Sequence, residues 1–261
     1  MDLTKLFGVA GKVAIVTGGS RGIGEMIAEG LVTNGVRTYI TARKADACDA
    51  TAERLSAIGE CISIPADMSS AEGLGAFVGA FREREDELHI LVNNAGAAWG
   101  APMGEFPEIG FDKVMDLNVK APYMLTQALL EPLTAAATSA DPGRVIMTGS
   151  VDGIRVPVGD NFSYSASKAG IHMLARHMAK FLTGRNITVN CIAPGPFESQ
   201  MMAYMLEDEK IRASIERTNP RGRIGTPEDV AGTVIWLASR AGAYINGVTI
   251  PIDGGISMLN A

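Results

Sequence analysis

The chain has 261 residues, 47% of them hydrophobic and 20% charged, the balance of a globular protein with a large core. A net charge of −6 argues against a nucleic-acid partner, and no apolar run reaches the length of a membrane-spanning helix. Three cysteines, Cys48, Cys61 and Cys191, show no Cys-x-x-Cys spacing, and His89, His172 and His177 show no ligand spacing. This pattern predicts reduced thiols in a cytoplasmic protein and no metal site. No signal peptide is expected, because residues 1–5 lead straight into a strand.

In chain order, a β-branched run over 12–17 ends in the turn Thr17-Gly18-Gly19-Ser20-Arg21-Gly22-Ile23-Gly24. A helix over 23–34 follows, with Ile23, Met26, Ile27, Leu31 and Val32 at helical spacing. Strands over 37–42, 61–66 and 90–93 then alternate with helices over 45–57 and 71–85. One long helix is predicted over 110–136, a strand over 144–149, a helix over 164–183 and a strand over 187–192. After a less regular stretch, a helix over 227–238 leads to a last strand over 248–252. Strands alternating with amphipathic helices predict an α/β protein of Rossmann type: one domain, a doubly wound parallel sheet of about seven strands.

Gly18, Gly22 and Gly24 lie where the first strand meets the first helix. Glycine there permits a tight turn and close approach to a pyrophosphate, whose charge the helix N-terminus favours. The spacing is Gly-x-x-x-Gly-x-Gly, and Ser20, Arg21 and Ile23 complete this cradle. At the end of the second strand, where an NAD enzyme presents a carboxylate, the chain has Ala42 followed by Arg43. Arg21 and Arg43 would bind a 2′-phosphate that a carboxylate would repel, so the expected cofactor is NADP(H). Asp67, with Met68 beside it, is a candidate for the adenine, and Asn94-Ala95-Gly96 ends the strand beside the crevice.

These motifs, with Asn118, Ser150, Tyr164-x-x-x-Lys168, Pro194-Gly195 and Asp253-Gly254-Gly255, resemble the classical short-chain dehydrogenase/reductase family. They span nearly the whole chain and keep the family's order. Within the family, the chain is most similar to NADPH-dependent 3-oxoacyl reductases of the rhamnolipid-biosynthesis type. VTGGSRGIGEMIAEGL and AGAYINGVTIPIDGG are among the stretches that carry this likeness. The resemblance implies a homotetramer or homodimer, with the helices of Asn118 and Tyr164 at the main interface. It also implies a substrate lid near residues 196–222.

Reduction of a carbonyl by hydride builds negative charge on its oxygen. Ser150 is placed to donate a hydrogen bond to that oxygen and Tyr164 to deliver the proton. Lys168, one helical turn further on, should lower the tyrosine pKa from about 10. The resemblance adds that Lys168 holds the nicotinamide ribose and that Asn118 anchors a water relaying protons from Lys168. It further places Pro194, Gly195, Phe197 and Ser199 beside the nicotinamide, with Ser199 offering a hydroxyl to its carboxamide.

Trp99, Val151, Val156, Phe162, Phe197 and Met202 are candidates for the apolar substrate wall, with Met201 and Met205 as adaptable neighbours. One departure weakens an acyl-carrier-protein substrate. Such reductases often carry a cation before the fifth strand and another before the sixth; residues 135–143 have none until Arg144, while Arg185 remains. The expected substrate is a small carbonyl or acyl thioester. A free ketone, sugar or steroid alcohol is the alternative, and a non-catalytic NADP sensor stands further off because it needs no proton donor. A serine hydrolase lacks support, since Gly149-Ser150-Val151-Asp152 is not a nucleophile elbow.

Overall fold

The structure, a computed structural model, describes residues 1–198, 202 and 207–259. Its seven parallel strands are β1 (Val13–Thr17), β2 (Arg37–Thr41), β3 (Cys61–Ser63), β4 (Ile90–Asn93), β5 (Gly143–Thr148), β6 (Ile187–Pro194) and β7 (Thr249–Ile252). They lie in the order β3-β2-β1-β4-β5-β6-β7. Strand order therefore reverses between β1 and β4, and the crevice outside their carboxyl ends is where such sheets bind ligands.

Both faces of the sheet are covered. Val13 and Ile15 of β1 join a core with Phe77, Leu125 and Ile171, whereas Ala14 and Val16 join another with Ile27, Leu31 and Val234. That alternation is the two-residue period of a strand buried on both sides. On the first side lie α4 (Ala71–Arg82), α5 (Glu108–Met115), α6 (Ala121–Ala128), α7 (Leu130–Ala135) and α8 (Phe162–Leu182). The second side holds α2 (Gly22–Thr33), α3 (Ala45–Ser56) and α10 (Pro227–Ala238). Among the described residues, no helix is long and apolar enough to cross a membrane.

Several expectations needed correction. A short helix, α1 (Leu3–Phe7), precedes β1 because the Asp2 carboxylate caps it, accepting from the N–H groups of Thr4 and Lys5. β3 stops at Ser63, before Pro65, which has no N–H to offer a ladder. The long helix expected over 110–136 is broken: α5 passes into a π-helical turn over Asp116–Lys120, then α6 and α7. Pro122 and Pro132 each sit in a first turn, where a missing N–H is tolerated. In the stretch read as irregular, a further helix, α9 (Glu209–Thr218), is capped by Asp208.

Candidate active site

The glycine turn is shaped by its own neighbours. Gly18 and Gly22 have φ of +66° and +55°, a region that favours glycine. A Cβ on Gly18 would lie 3.0 Å from Ala95 Cα and 3.1 Å from Asn94 Nδ2, so the turn closes against the end of β4. Gly24 is tighter still, a Cβ there colliding with the Gly18 carbonyl. Thr17 Oγ1 accepts from the N–H groups of Asn94 and Ala95, both at 2.9 Å, and Asn94 Nδ2 donates to the Thr17 carbonyl at 2.9 Å. The switch point is thereby locked before any ligand arrives.

These residues fit an NADP pyrophosphate and 2′-phosphate. Helix α2 begins at Gly22 with no side-chain cap from Arg21, which leaves its N-terminal N–H groups facing the crevice mouth. Arg21 and Arg43 are exposed, and neither makes an ion pair with a described residue. Two guanidinium groups thus stand ready for an anion. Burial alone would raise the Asp67 pKa. Bonds from the Ser69 hydroxyl and N–H, helped by Arg43 and Lys113, hold it below the usual carboxylate range. Met68 is buried in the core, so it can meet a nucleotide only through its main chain. Ser20 uses its carbonyl to accept from Thr51, and Ile23 packs on the core.

Strand β5 and helix α8 bring the chemistry together. Lys168 is 4% exposed, its Nζ donating to the Thr148 carbonyl at 2.7 Å and lying 5.4 Å from the centre of the Tyr164 ring. Tyr164 is half-buried, with the Ser150 side chain near enough to its phenol to act on its proton. Burial pushes the phenol up to about 12, partly offset by the Ser150 side chain and augmented by the Asp152 charge. This departs from the expectation of a lowered tyrosine pKa: with the protein alone around it, burial outweighs the effect of Ser150. Burial also brings Lys168 down to about 8, against the opposing pull of Cys191 and Asp152. Gly96 keeps the floor open here, since a Cβ on it would lie 3.3 Å from Asn118 Oδ1 and 3.8 Å from Lys168 Nζ.

Asn118 sits in the π-helical turn, and its side chain is committed locally. Oδ1 accepts from Ala97 N–H at 2.8 Å, while Nδ2 donates to the Ala97 carbonyl and to Ser167 Oγ, each at 2.9 Å. A water relay would therefore have to use the main chain of this turn. π-Turns of this kind recur at functional sites. His172, one turn beyond Lys168 and set aside in the sequence for want of ligand spacing, touches the site: Nε2 accepts from the Ser150 N–H at 3.4 Å. Burial, then the Lys168 and Arg176 charges, lower its pKa to about 4, so it stays a neutral acceptor. The four-residue spacing Tyr164, Lys168, His172 is the signal that would have found it.

The apolar wall is only partly assembled. Val151 is buried beside Ser150, and Phe162 stacks edge-on with Phe106 at 6.2 Å. Phe197, by contrast, is 1% exposed and its ring fills the space over Gly225 in the core, so it does not present a pocket surface. Val156 is 92% exposed. Trp99 lies against Gly110 of α5 with Lys113 Nζ 5.6 Å from its ring centre. Met202 is half-buried, whereas Ser199, Met201 and Met205 lie outside the described residues. Pro194 ends β6, and the Gly195 N–H donates to the Ile252 carbonyl at 3.0 Å, fixing the strand end beside Asp253. Among the described residues, no three His, Cys, Asp or Glu side chains gather as a metal would require.

The family model described as "Enoyl-(Acyl carrier protein) reductase" matches residues 18–257. The rhamnolipids biosynthesis 3-oxoacyl-[acyl-carrier-protein] reductase of Pseudomonas aeruginosa is 47% identical over 252 residues, 97% of this chain and 98% of that protein. The solved Pseudomonas aeruginosa RhlG/NADP active-site complex superposes with a TM-score of 0.95 at 47% identity, covering 97% and 99% of the two chains. The 2-dehydro-3-deoxy-D-gluconate 5-dehydrogenase of Escherichia coli is 36% identical over 95% of this chain and 96% of its own. With matches over nearly its full length, the chain belongs to the short-chain dehydrogenase/reductase family.

Proposed function

We propose that the protein is an NADP(H)-dependent oxidoreductase that reduces a 3-oxoacyl thioester to its 3-hydroxy form. The observation that carries this reading is the buried Lys168, its Nζ 5.4 Å from the centre of the Tyr164 ring and bonded to the Thr148 carbonyl on the strand that leads to Ser150. NADPH, when bound, supplies the hydride. Arg21 and Arg43 hold its 2′-phosphate, the start of α2 its pyrophosphate, and Asp67 its adenine. Lys168 holds the ribose, and Gly18, Ser20, Ile23, Asn94, Ala95, Pro194 and Gly195 wall its channel. Ser199 would take the carboxamide.

The side chains divide the proton work. The Ser150 hydroxyl accepts from the Asp152 N–H at 3.1 Å, which leaves its own proton to donate toward the carbonyl oxygen. Tyr164, protonated at neutral pH because burial holds its pKa near 12, is in the correct state to give a proton. The Lys168 ammonium then stabilises the phenolate that remains. Val151 and Phe162, with Met202 from a lid over residues 196–222, form the acyl wall.

The carrier of the acyl group is the finer question. Arg144 is buried, its guanidinium spent on the carbonyls of Pro142, Leu237 and Ser239 and on Asp141. That leaves Arg185 as the exposed cation of the two places where an acidic carrier would dock, a footing that favours coenzyme A. A free ketone or sugar acid is the second reading, favoured by the likeness to the gluconate-type dehydrogenase. The test is NADPH oxidation with matched 3-oxoacyl thioesters on coenzyme A and on acyl carrier protein, beside free ketones and sugar acids. Thioester-dependent turnover supports the proposal; turnover of free ketones or sugar acids alone overturns it. NADPH binding with no turnover of any carbonyl would make the protein a sensor. Exposed Phe111, Tyr123, Met124, Met173 and Phe181 on α5, α6 and α8 support a homotetramer or homodimer built on these helices, which light scattering would test. Three buried free cysteines suit the cytoplasm.

A further inference from the structure

We infer that Asp152 is a positioning residue which, through Asn161, clasps the turn carrying Ser150 to the start of the helix carrying Tyr164 and Lys168. This rests on the reading that those three side chains perform the reduction. The chain leaves β5 extended at Ser150, with φ −168° and ψ 157°, then makes one 3-10 turn over Val151–Gly153. Asp152 touches both sides of the site from that turn. Its N–H donates to Ser150 Oγ at 3.1 Å, and its carboxylate accepts from Asn161 Nδ2 at 3.3 Å.

Asn161 occupies the cap position of α8 but makes no capping bond there. Its amide is given to Asp152 instead. Tyr164 follows three residues later, so the clasp ties the serine turn to the first turn of the helix that carries the phenol. The intervening loop, 154–160, carries exposed Val156, Val158, Gly159 and Asp160 and has little packing with which to set that distance. Arg155 Nε and Asn161 Oδ1 are buried without a hydrogen-bond partner, so polar groups rather than apolar ones surround the clasp.

The same carboxylate carries charge into the site. It makes no ion pair with a described residue. The groups facing it are Arg155 on its own loop and Tyr164 and Lys168 on α8; beyond Lys168 lie His172 on α8 and Cys191 on β6. Its negative charge raises the proton affinity of both Tyr164 and Lys168. A phenol that keeps its proton is what carbonyl reduction needs. Clasp and charge therefore serve the same step, one by distance and one by protonation state.

Three variants separate the two effects. Asp152→Asn can keep the bond to Asn161 while removing the charge. The pH at which reduction falls off as Tyr164 loses its proton should then drop by about one unit, with kcat near neutrality little changed. Asn161→Ala keeps the charge and opens the clasp, and should lower kcat about tenfold with KM for NADPH unchanged. Asp152→Glu should retain the wild-type pH profile. Tyrosinate difference absorbance, with the Tyr164→Phe protein subtracted, follows the phenol without any substrate. If no carbonyl is turned over by wild type yet the tyrosinate transition moves in Asp152→Asn, the functional reading fails while the effect of the Asp152 charge on Tyr164 stands. A wild-type kcat in Asn161→Ala would overturn the clasp, and a transition and pH profile unmoved in Asp152→Asn would overturn the role of the charge.

Discussion

Helices α8 and α9 stand at opposite ends of how a helix is held. Helix α8 has no side-chain cap, yet it buries Ser167, Lys168 and His172, whose polar atoms bond to other elements. Helix α9 buries nothing; it caps itself with Asp208 and ties itself down with exposed ion pairs of Arg212 to Glu198 and Glu216. Burying a polar or charged group costs free energy unless its partners are in place, so α8 is committed to one arrangement. Helix α9 can shift without losing core. On the proposed function, the chemistry is built into the rigid wall, and the helix next to the proposed substrate cover is the part that can adapt.

The largest test of that contrast is at Tyr164. Tyr164→Phe should lower kcat by about 10²–10⁴-fold, the range for losing a positioned proton donor, while NADPH affinity by fluorescence titration stays near wild type. Lys168→Met should weaken both, because it removes a charge beside the phenol and a group in the cofactor channel. Next comes the cost of burying α8's polar groups. His172 is held near pKa 4 against about 6.5 in an unfolded chain, so below 6.5 the unfolded state binds the extra proton. Stability should thus fall as pH drops through the window from 6.5 to 4, approaching a loss of about 3 kcal/mol. His172→Asn should flatten that part of the melting-temperature profile relative to wild type. A smaller effect belongs to the exposed cations: Arg21→Ala or Arg43→Ala should raise KM for NADPH about tenfold, the value of a charge-assisted bond, and leave NADH unaffected. Equal loss with both cofactors would break the assignment of the 2′-phosphate site.

The legible parts of the sequence were those where local chemistry forces the structure. Strand–helix alternation placed the sheet, and the positive φ of Gly18 and Gly22 shows why glycine marked the turn. Tyr164 and Lys168 were readable because four residues is one helical turn. The broken helix around Asn118 was not. Its apolar spacing continues straight through, and only the tertiary bonds to Ala97 and Ser167 accompany the π-turn. Phe197 misled for a related reason: an aromatic near a lid looks like a pocket wall, but the missing Cβ of Gly225 gives its ring a place in the core. Asp152 and Asn161 sit nine residues apart across a loop, and no periodicity links such a pair.

The smallest expected effect is at α9, and it bears directly on the contrast. Arg212→Ala removes the exposed links to Glu198 and Glu216, side chains that water already solvates. Surface pairs of this kind add little to stability, so the melting temperature should not move measurably. The Glu198 link, however, joins the residue after the buried Phe197 to α9. Loosening it should change KM for the acyl substrate a few-fold while kcat with a saturating substrate holds, since Ser150, Tyr164 and Lys168 are fixed elsewhere. A fall in kcat with unchanged KM would mean that α9 sets the reacting geometry, and the division between a rigid chemical wall and an adaptable cover would have to be redrawn.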